Sequence, residues 1–180
     1  IWPLYLFHEG AATINAAISL RAHVRLEERT GGIELISIDT DRHTTAGHWS
    51  ELSAANELSL LALLARHYRL ENATLTTRGE SPAGAGIAGS SALTIAVCGA
   101  LARSTGASMR SEDLLQVAMN VECQTIKVPT GVQDYRPALF GGIAAIRFSD
   151  ATATVEPTVR AAVNAGARID SGAGIALRAD

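Results

Sequence analysis

Apolar and polar residues follow two periods along this chain. From Ala11 to Glu27, Ile14, Ala16, Ile18 and Leu20 alternate with Asn15, Ala17 and Ser19, and Ala22, Val24 and Leu26 then alternate with His23, Arg25 and Glu27. A period of two predicts one long strand over 11–27. Thr30-Gly31-Gly32 predicts a hairpin turn into a return strand over Ile33–Asp39. Asp41–Ser50 is polar and reads as a loop. The period then changes. Leu52, Ala55, Leu58, Leu61, Ala62 and Ala65 fall near helical spacing, which predicts an amphipathic helix over Glu51–Tyr68. Ala73–Arg78 predicts a half-polar strand. An apolar run after Ser90-Ser91 predicts a helix that ends at Gly106. Ser111-Glu112-Asp113 starts another helix, with Ser111 as its N-cap, that reaches about Thr125. Lys127–Gly131 reads as a turn, Asp134–Leu139 as a short element, Gly142–Phe148 as a strand and Thr158–Ala165 as a helix.

The stretch Glu80–Leu101, ESPAGAGIAGSSALTIAVCGAL, stands apart from this pattern. Pro82 is followed by Gly84, Gly86 and Gly89, then by Ser90 and Ser91. Small residues let a backbone approach a ligand closely, and serine hydroxyls can cap a helix. A glycine-rich turn that opens a helix presents N–H donors and the positive end of the helix dipole, which suits phosphate. Gly84-Ala85-Gly86-Ile87-Ala88-Gly89 also fits G-x-G-x-x-G. A dinucleotide fingerprint needs a hydrophobic strand before it and an acidic residue at the end of a second parallel strand. Here the preceding strand is half polar, and Glu112 and Asp113 fall on a polar helix start. No G-x-x-x-x-G-K-[ST] occurs, which excludes a P-loop. The plainer alternative is a helix packed tightly through glycine.

Pro82-x-Gly84-x-Gly86-Ile87-x-x-Ser90-Ser91-x-Leu93 resembles the phosphate-binding motif of the GHMP kinases. A second segment, Gly131-Val132-Gln133-Asp134-Tyr135 followed by Gly141-Gly142, resembles the Gly-x-Gln-Asp and Gly-Gly segment of their sugar-kinase branch, the heptose 7-phosphate kinase and fucokinase subgroup. The resemblance runs from about Tyr5 to Phe148, and Ala88 stands where the family usually has glycine. It implies an α+β fold, the GHMP N-terminal domain of ribosomal protein S5 domain 2-like type, over residues 1–157. The C-terminal ferredoxin-like domain is expected to be absent or partial. GARIDSGAGIALRAD at 166–180 faintly resembles the family's third motif, so 158–180 is expected to be a fragment of that domain. The chain opens as relatives do just after a Gly-Gly-x-Thr-Asp turn, and that turn is expected to precede Ile1.

The same resemblance implies ATP and Mg2+ as cofactors and a sugar or sugar phosphate as substrate. Pro82, Gly84, Gly86, Ala88, Gly89, Ser90 and Ser91 would hold the nucleotide phosphates. Ser90, with Ser91 as the near alternative, and Glu122 would be magnesium ligands. Two protein oxygens suffice for that ion, because phosphate and water fill its other positions. On residue type alone, Glu122 reads as a solvated helix-face side chain. Asp134 would take or orient a proton of the accepting hydroxyl; its other reading is an Asx-turn residue that starts a short helix. His8, Asp134 and Tyr135 are candidate substrate contacts. Lys127 could offset phosphate charge or simply be a surface lysine.

Composition narrows the partners. The chain has 180 residues, 47% hydrophobic and 18% charged, with net charge −3. That suits one globular domain with a sizeable core and offers no basic block for nucleic acid. No run approaches the roughly 18 apolar residues of a membrane span, so no membrane partner is expected. Cys98 and Cys123 both lie in apolar helical runs, which favours a reduced, cytoplasmic setting. The five histidines, His8, His23, His43, His48 and His67, show no zinc-binding spacing. Two other readings remain at this point. One is a non-catalytic GHMP-fold protein that binds a ligand or partner; the other is a dinucleotide-binding oxidoreductase.

Overall fold

A computed structural model describes residue 8 and residues 10–147. The expected helix at Thr158–Ala165 and the expected C-terminal-domain fragment at 158–180 lie outside the described residues. In chain order the elements are β1 (Ala12–Ala16), β2 (Ala22–Glu28), β3 (Ile33–Ser37), β4 (Arg42–Ala46), α1 (Ser59–His67), β5 (Ala73–Gly79), α2 (Gly89–Ser104), α3 (Ser111–Ile126), α4 (Tyr135–Phe140) and β6 (Ile143–Arg147). They divide into two compact units. One is formed by residues 20–130 and the other by the described residues on either side, up to 19 and from 131 to 147.

The larger unit is a four-stranded sheet of order β2-β5-β3-β4 with three helices. Strand β5 pairs antiparallel with β2 and parallel with β3, and β4 pairs antiparallel with β3. Alternate residues of the two inner strands are buried: Ile33, Leu35 and Ser37 on β3, and Ala73, Leu75 and Thr77 on β5. Helix α2 packs against β2 and β5, and α1, α2 and α3 pack on one another. Leu61 and Leu64 of α1, Val97 and Leu101 of α2, and Leu115 and Ala118 of α3 are all buried in this core. Between these positions Glu34, Thr74 and Thr76 are polar and half-buried, and Ile36 is a half-buried apolar residue. Glu34 of β3 accepts from Arg29 at 2.6 Å and from Thr74 of β5 at 3.1 Å.

The smaller unit contains the antiparallel pair β1 and β6, with Asn15 opposite Ala144, and the short helix α4. No helix among the described residues is long and apolar enough to cross a membrane.

Several elements differ from the expected ones. The long strand over 11–27 is two strands, interrupted at 17–21, that pair in different units. The Thr30-Gly31-Gly32 hairpin does not form, because β5 lies between β2 and β3 and takes the backbone bonds of both. Gly31 and Gly32, at φ 78° and 72°, instead turn the chain past that inserted strand. The polar stretch expected as a loop contains β4. This is an edge strand, where threonine fits the pleat and polar side chains can face water. The helix expected over Glu51–Tyr68 begins only at Ser59. A 3-10 turn at Trp49–Glu51 precedes it, and the Asn56 side chain accepts from Ser53 N–H in the irregular segment between. Ser111 is the first residue of α3 and not its cap; Arg110 holds the cap position, with no side-chain cap bond.

Leu75 is fully buried on the central strand. Truncating it leaves a cavity where three neighbouring elements meet. Leu75→Ala should cost about 2–5 kcal/mol in denaturant unfolding, while Arg25→Ala at an exposed site should stay within about 0.5 kcal/mol.

Candidate functional site

The glycine-rich loop is held at its entrance by strand pairing that continues beyond β5. Glu80 N–H donates to the Arg21 carbonyl at 2.9 Å, and the Glu80 carboxylate accepts from Arg21 N–H at 2.9 Å. His23 Nε2 lies 2.9 Å from Glu80 Oε1. The His23 bond, with the Arg21 N–H, holds the Glu80 carboxyl below its ordinary range. Beyond Pro82 the backbone alternates: Gly84, Gly86 and Ala88 have φ of 74°, 68° and 61°, whereas Ala85 and Ile87 do not take positive φ. Alternation of this kind turns successive N–H groups towards one side and makes an anion-binding concavity. A side chain added at Gly84 or Gly86 would meet nothing within 4 Å, so the space over these glycines is open. Gly89 has a different role. A Cβ there would come within 2.7 Å of Ser81 Oγ, so its lack of a side chain lets the loop close on its own stem.

Helix α2 starts at Gly89, and its N-cap is Ala88 in the left-handed conformation, with no side-chain cap. The expected capping by Ser90 or Ser91 therefore does not occur. Both hydroxyls point to Glu122 on α3. Ser90 Oγ donates to Glu122 Oε1 at 2.6 Å, and Ser91 Oγ donates to Oε2 at 3.3 Å. Thr94 Oγ1 lies 3.5 Å from Oε2 and donates at 2.8 Å to the Ser90 carbonyl. Glu122 is only 4% exposed, which rules out a solvated helix face. A buried carboxylate must be satisfied by donors, and hydroxyls from the first turn of α2 supply them where the helix dipole also favours negative charge. The signal for this burial is present in α3. Leu115, Ala118 and Glu122 share the i, i+3, i+7 stripe of a core-facing helix side. Sequence reasoning also missed Thr94, one helical turn beyond Ser90.

In the smaller unit Gly131, Val132 and Gln133 are buried. A side chain at Gly131 would run into that of Gln133. Asp134 is half-buried at φ −82°, ψ −28°, and its side chain makes no cap bond to α4. Tyr135 is fully buried, a packing position. His8 is exposed in a bend of the same unit. Lys127, in the larger unit, is exposed and ends α3 at φ 57°. The structure therefore gathers Ser90, Ser91 and Glu122 at the loop, and it places His8, Asp134 and Tyr135 in the other unit.

A family described as GHMP kinases, N-terminal domain, matches residues 58–142. The chain carries this N-terminal domain fold. Among solved structures, a D-glycero-D-manno-heptose 1-phosphate kinase from Bacteroides thetaiotaomicron superposes with TM-score 0.73 at 26% identity over 83% of this chain and 51% of its own. A protein from Campylobacter jejuni, provisionally named a sugar kinase, gives TM-score 0.70 at 24% identity over 82% of this chain and 47% of its own. Galactokinase from Lactococcus lactis, solved with galactose, gives 0.64 at 18% over 85% and 42%. The chain thus spans about half the length of these proteins. No curated protein matches the chain by sequence.

Within the GHMP fold, the glycine-to-alanine departure at Ala88 falls on a left-handed residue. That conformation costs an alanine roughly 1 kcal/mol. Relief of that cost is largely offset by the roughly 0.4–1 kcal/mol of chain entropy that glycine adds to the unfolded state, so Ala88→Gly should raise stability by no more than about 0.5 kcal/mol, measured by chemical denaturation. Glu122→Ala should destabilise the larger unit by about 1–3 kcal/mol, because the buried Ser91 hydroxyl loses its acceptor. Glu122→Gln, which keeps an acceptor oxygen, should cost clearly less in the same assay.

Proposed function

We propose that the protein containing this chain is a kinase that transfers a phosphoryl group from ATP to a hydroxyl of a sugar or sugar phosphate, with magnesium. The observation that carries this reading is the meeting of Ser90 Oγ and the buried Glu122 carboxylate beside an open loop of alternating backbone handedness. Two hard oxygen donors suit magnesium, and the loop N–H groups suit phosphate. Ser90 and Glu122 would hold the ion, with Ser91 as the close alternative. The loop from Pro82 to Ser91 would hold the phosphates. Bound there, magnesium supplies charge neutralisation for phosphoryl transfer, a reaction governed mainly by positioning and electrostatics.

The substrate class rests on the similar proteins, a heptose 1-phosphate kinase and a galactokinase, and on the Gly131-x-Gln133-Asp134 segment. Asp134 would accept or orient the hydroxyl proton. Tyr135, being buried, would brace that segment, and His8 remains a candidate sugar contact. Residues 1–157 would form the nucleotide-binding domain and 158–180 would be a fragment of the C-terminal domain. The two free cysteines suit a reducing, cytoplasmic setting. A dinucleotide reading fits less well. Helix α2 is followed by α3 and not by a parallel strand, and Glu112 and Asp113 lie in the first turn of α3.

Two substitutions in the full-length protein test the reading. Gly86→Val places a β-branched residue at positive φ in the loop and should abolish ATP binding by calorimetry while the protein stays folded. Asp134→Asn should lower kcat about 10²–10⁴-fold with little change in ATP affinity. Wild-type ATP affinity in folded Gly86→Val, or wild-type kcat in Asp134→Asn, would remove the respective residue from the site.

A further inference from the structure

Strand β1 is inverted. Its apolar residue Ile14 is 79% exposed, while Thr13, one position away, is buried and Asn15 is half-buried on Thr13's side of the strand. A polar side facing inward runs against the usual pattern and marks either an error or a task. Here the polar side chains form a directed chain of bonds. Thr13 Oγ1 donates to Asn15 Oδ1 at 2.9 Å. With its oxygen engaged in this way, the Asn15 amide donates from Nδ2 to the Gln133 carbonyl at 2.8 Å, across 118 residues of sequence. The Gln133 carbonyl and the Asp134 N–H belong to one planar peptide unit. A grip on that carbonyl therefore sets the plane from which the Asp134 Cα and side chain depart. The Gln133 side-chain Oε1 is enclosed without a hydrogen-bond partner among the described residues.

We propose that Asn15, oriented by Thr13, is a positioning residue that holds Asp134 in register for its work on the accepting hydroxyl. The proposal rests on the kinase reading and on Asp134 being the group that handles the proton. Asn15 touches no reacting atom. It acts only through the 133–134 peptide, where a misplacement of about 1 Å can cost up to 10²-fold in rate.

The test is a double-mutant cycle in the full-length kinase, with kcat measured on the sugar and ATP affinity measured separately. Asn15→Asp removes the donor at nearly constant shape and should lower kcat about 10-fold or more without changing ATP affinity. In Asp134→Asn the same substitution should add little, because the group it positions is already disabled. Thr13→Val, which removes only the hydroxyl, should lower kcat in the same direction, and Thr13→Ser should recover most of that loss. This second pair keeps the test decisive if Asn15→Asp does not fold. Full additivity of the Asn15 and Asp134 losses, an equal loss in Thr13→Val and Thr13→Ser, or a parallel fall in ATP affinity would overturn the proposal. If Asp134→Asn itself keeps wild-type kcat, the Asp134 assignment falls, and the positioning role falls with it. If Asp134→Asn is impaired while Asn15→Asp and Thr13→Val are not, only the positioning role falls.

Discussion

A carboxylate enclosed by protein has to be met by donors, and at Glu122 the Ser90 and Ser91 hydroxyls donate to it, with Thr94 Oγ1 3.5 Å away on the same helix. Much of the loop's shape depends on this arrangement. Glu122 rides on the buried stripe of α3, so packing fixes its position before any ligand is considered. Ser90, Ser91 and Thr94 are drawn to it, and they set where α2 begins. The far end of the loop is set independently by Glu80, tied to Arg21 and His23. Pro82 to Ala88 is therefore strung between two fixed stems. Little freedom remains there except the alternation of handedness that glycine allows and that Ala88 is made to share.

This shape also explains why serines follow the glycines. As helix caps they would satisfy backbone N–H groups and close the first turn against anions. Turned instead towards Glu122, they leave the N-terminus of α2 to the loop backbone. They also bring a side-chain oxygen pair together at 2.6 Å. The local conformation costs something at Ala88, and the buried carboxylate has to be fully satisfied.

The α+β class, the loop, helices α2 and α3 and strand β6 were legible in the sequence, because glycine punctuation and long apolar runs are local signals. The sheet order was not. A parallel pairing of β3 with β5 places Ile33 beside Ala73, and nothing near Gly31 and Gly32 announces that a strand forty residues away will occupy the hairpin's place. Strand β4 was hidden because an edge strand can be polar throughout. The interruption of the first strand was hidden because Ile14, Ile18 and Leu20 continue the alternation although all three are exposed. At the site, the motif identified Ser90, Ser91 and Glu122 by type. It missed that Glu122 is buried, although the spacing from Leu115 and Ala118 carried that information. It also missed Thr94 and Asn15, whose roles depend on contacts with distant segments.

The central claim is that the loop between Glu80 and Ser91 is a preformed phosphate cradle. Titration of the isotope-labelled full-length protein with ATP and magnesium, followed through backbone amide resonances, tests it most directly. The account predicts saturable binding whose largest shifts fall on the amides of residues 84–91, with no comparable response to NAD. Saturable ATP binding that leaves those amides unmoved would contradict it.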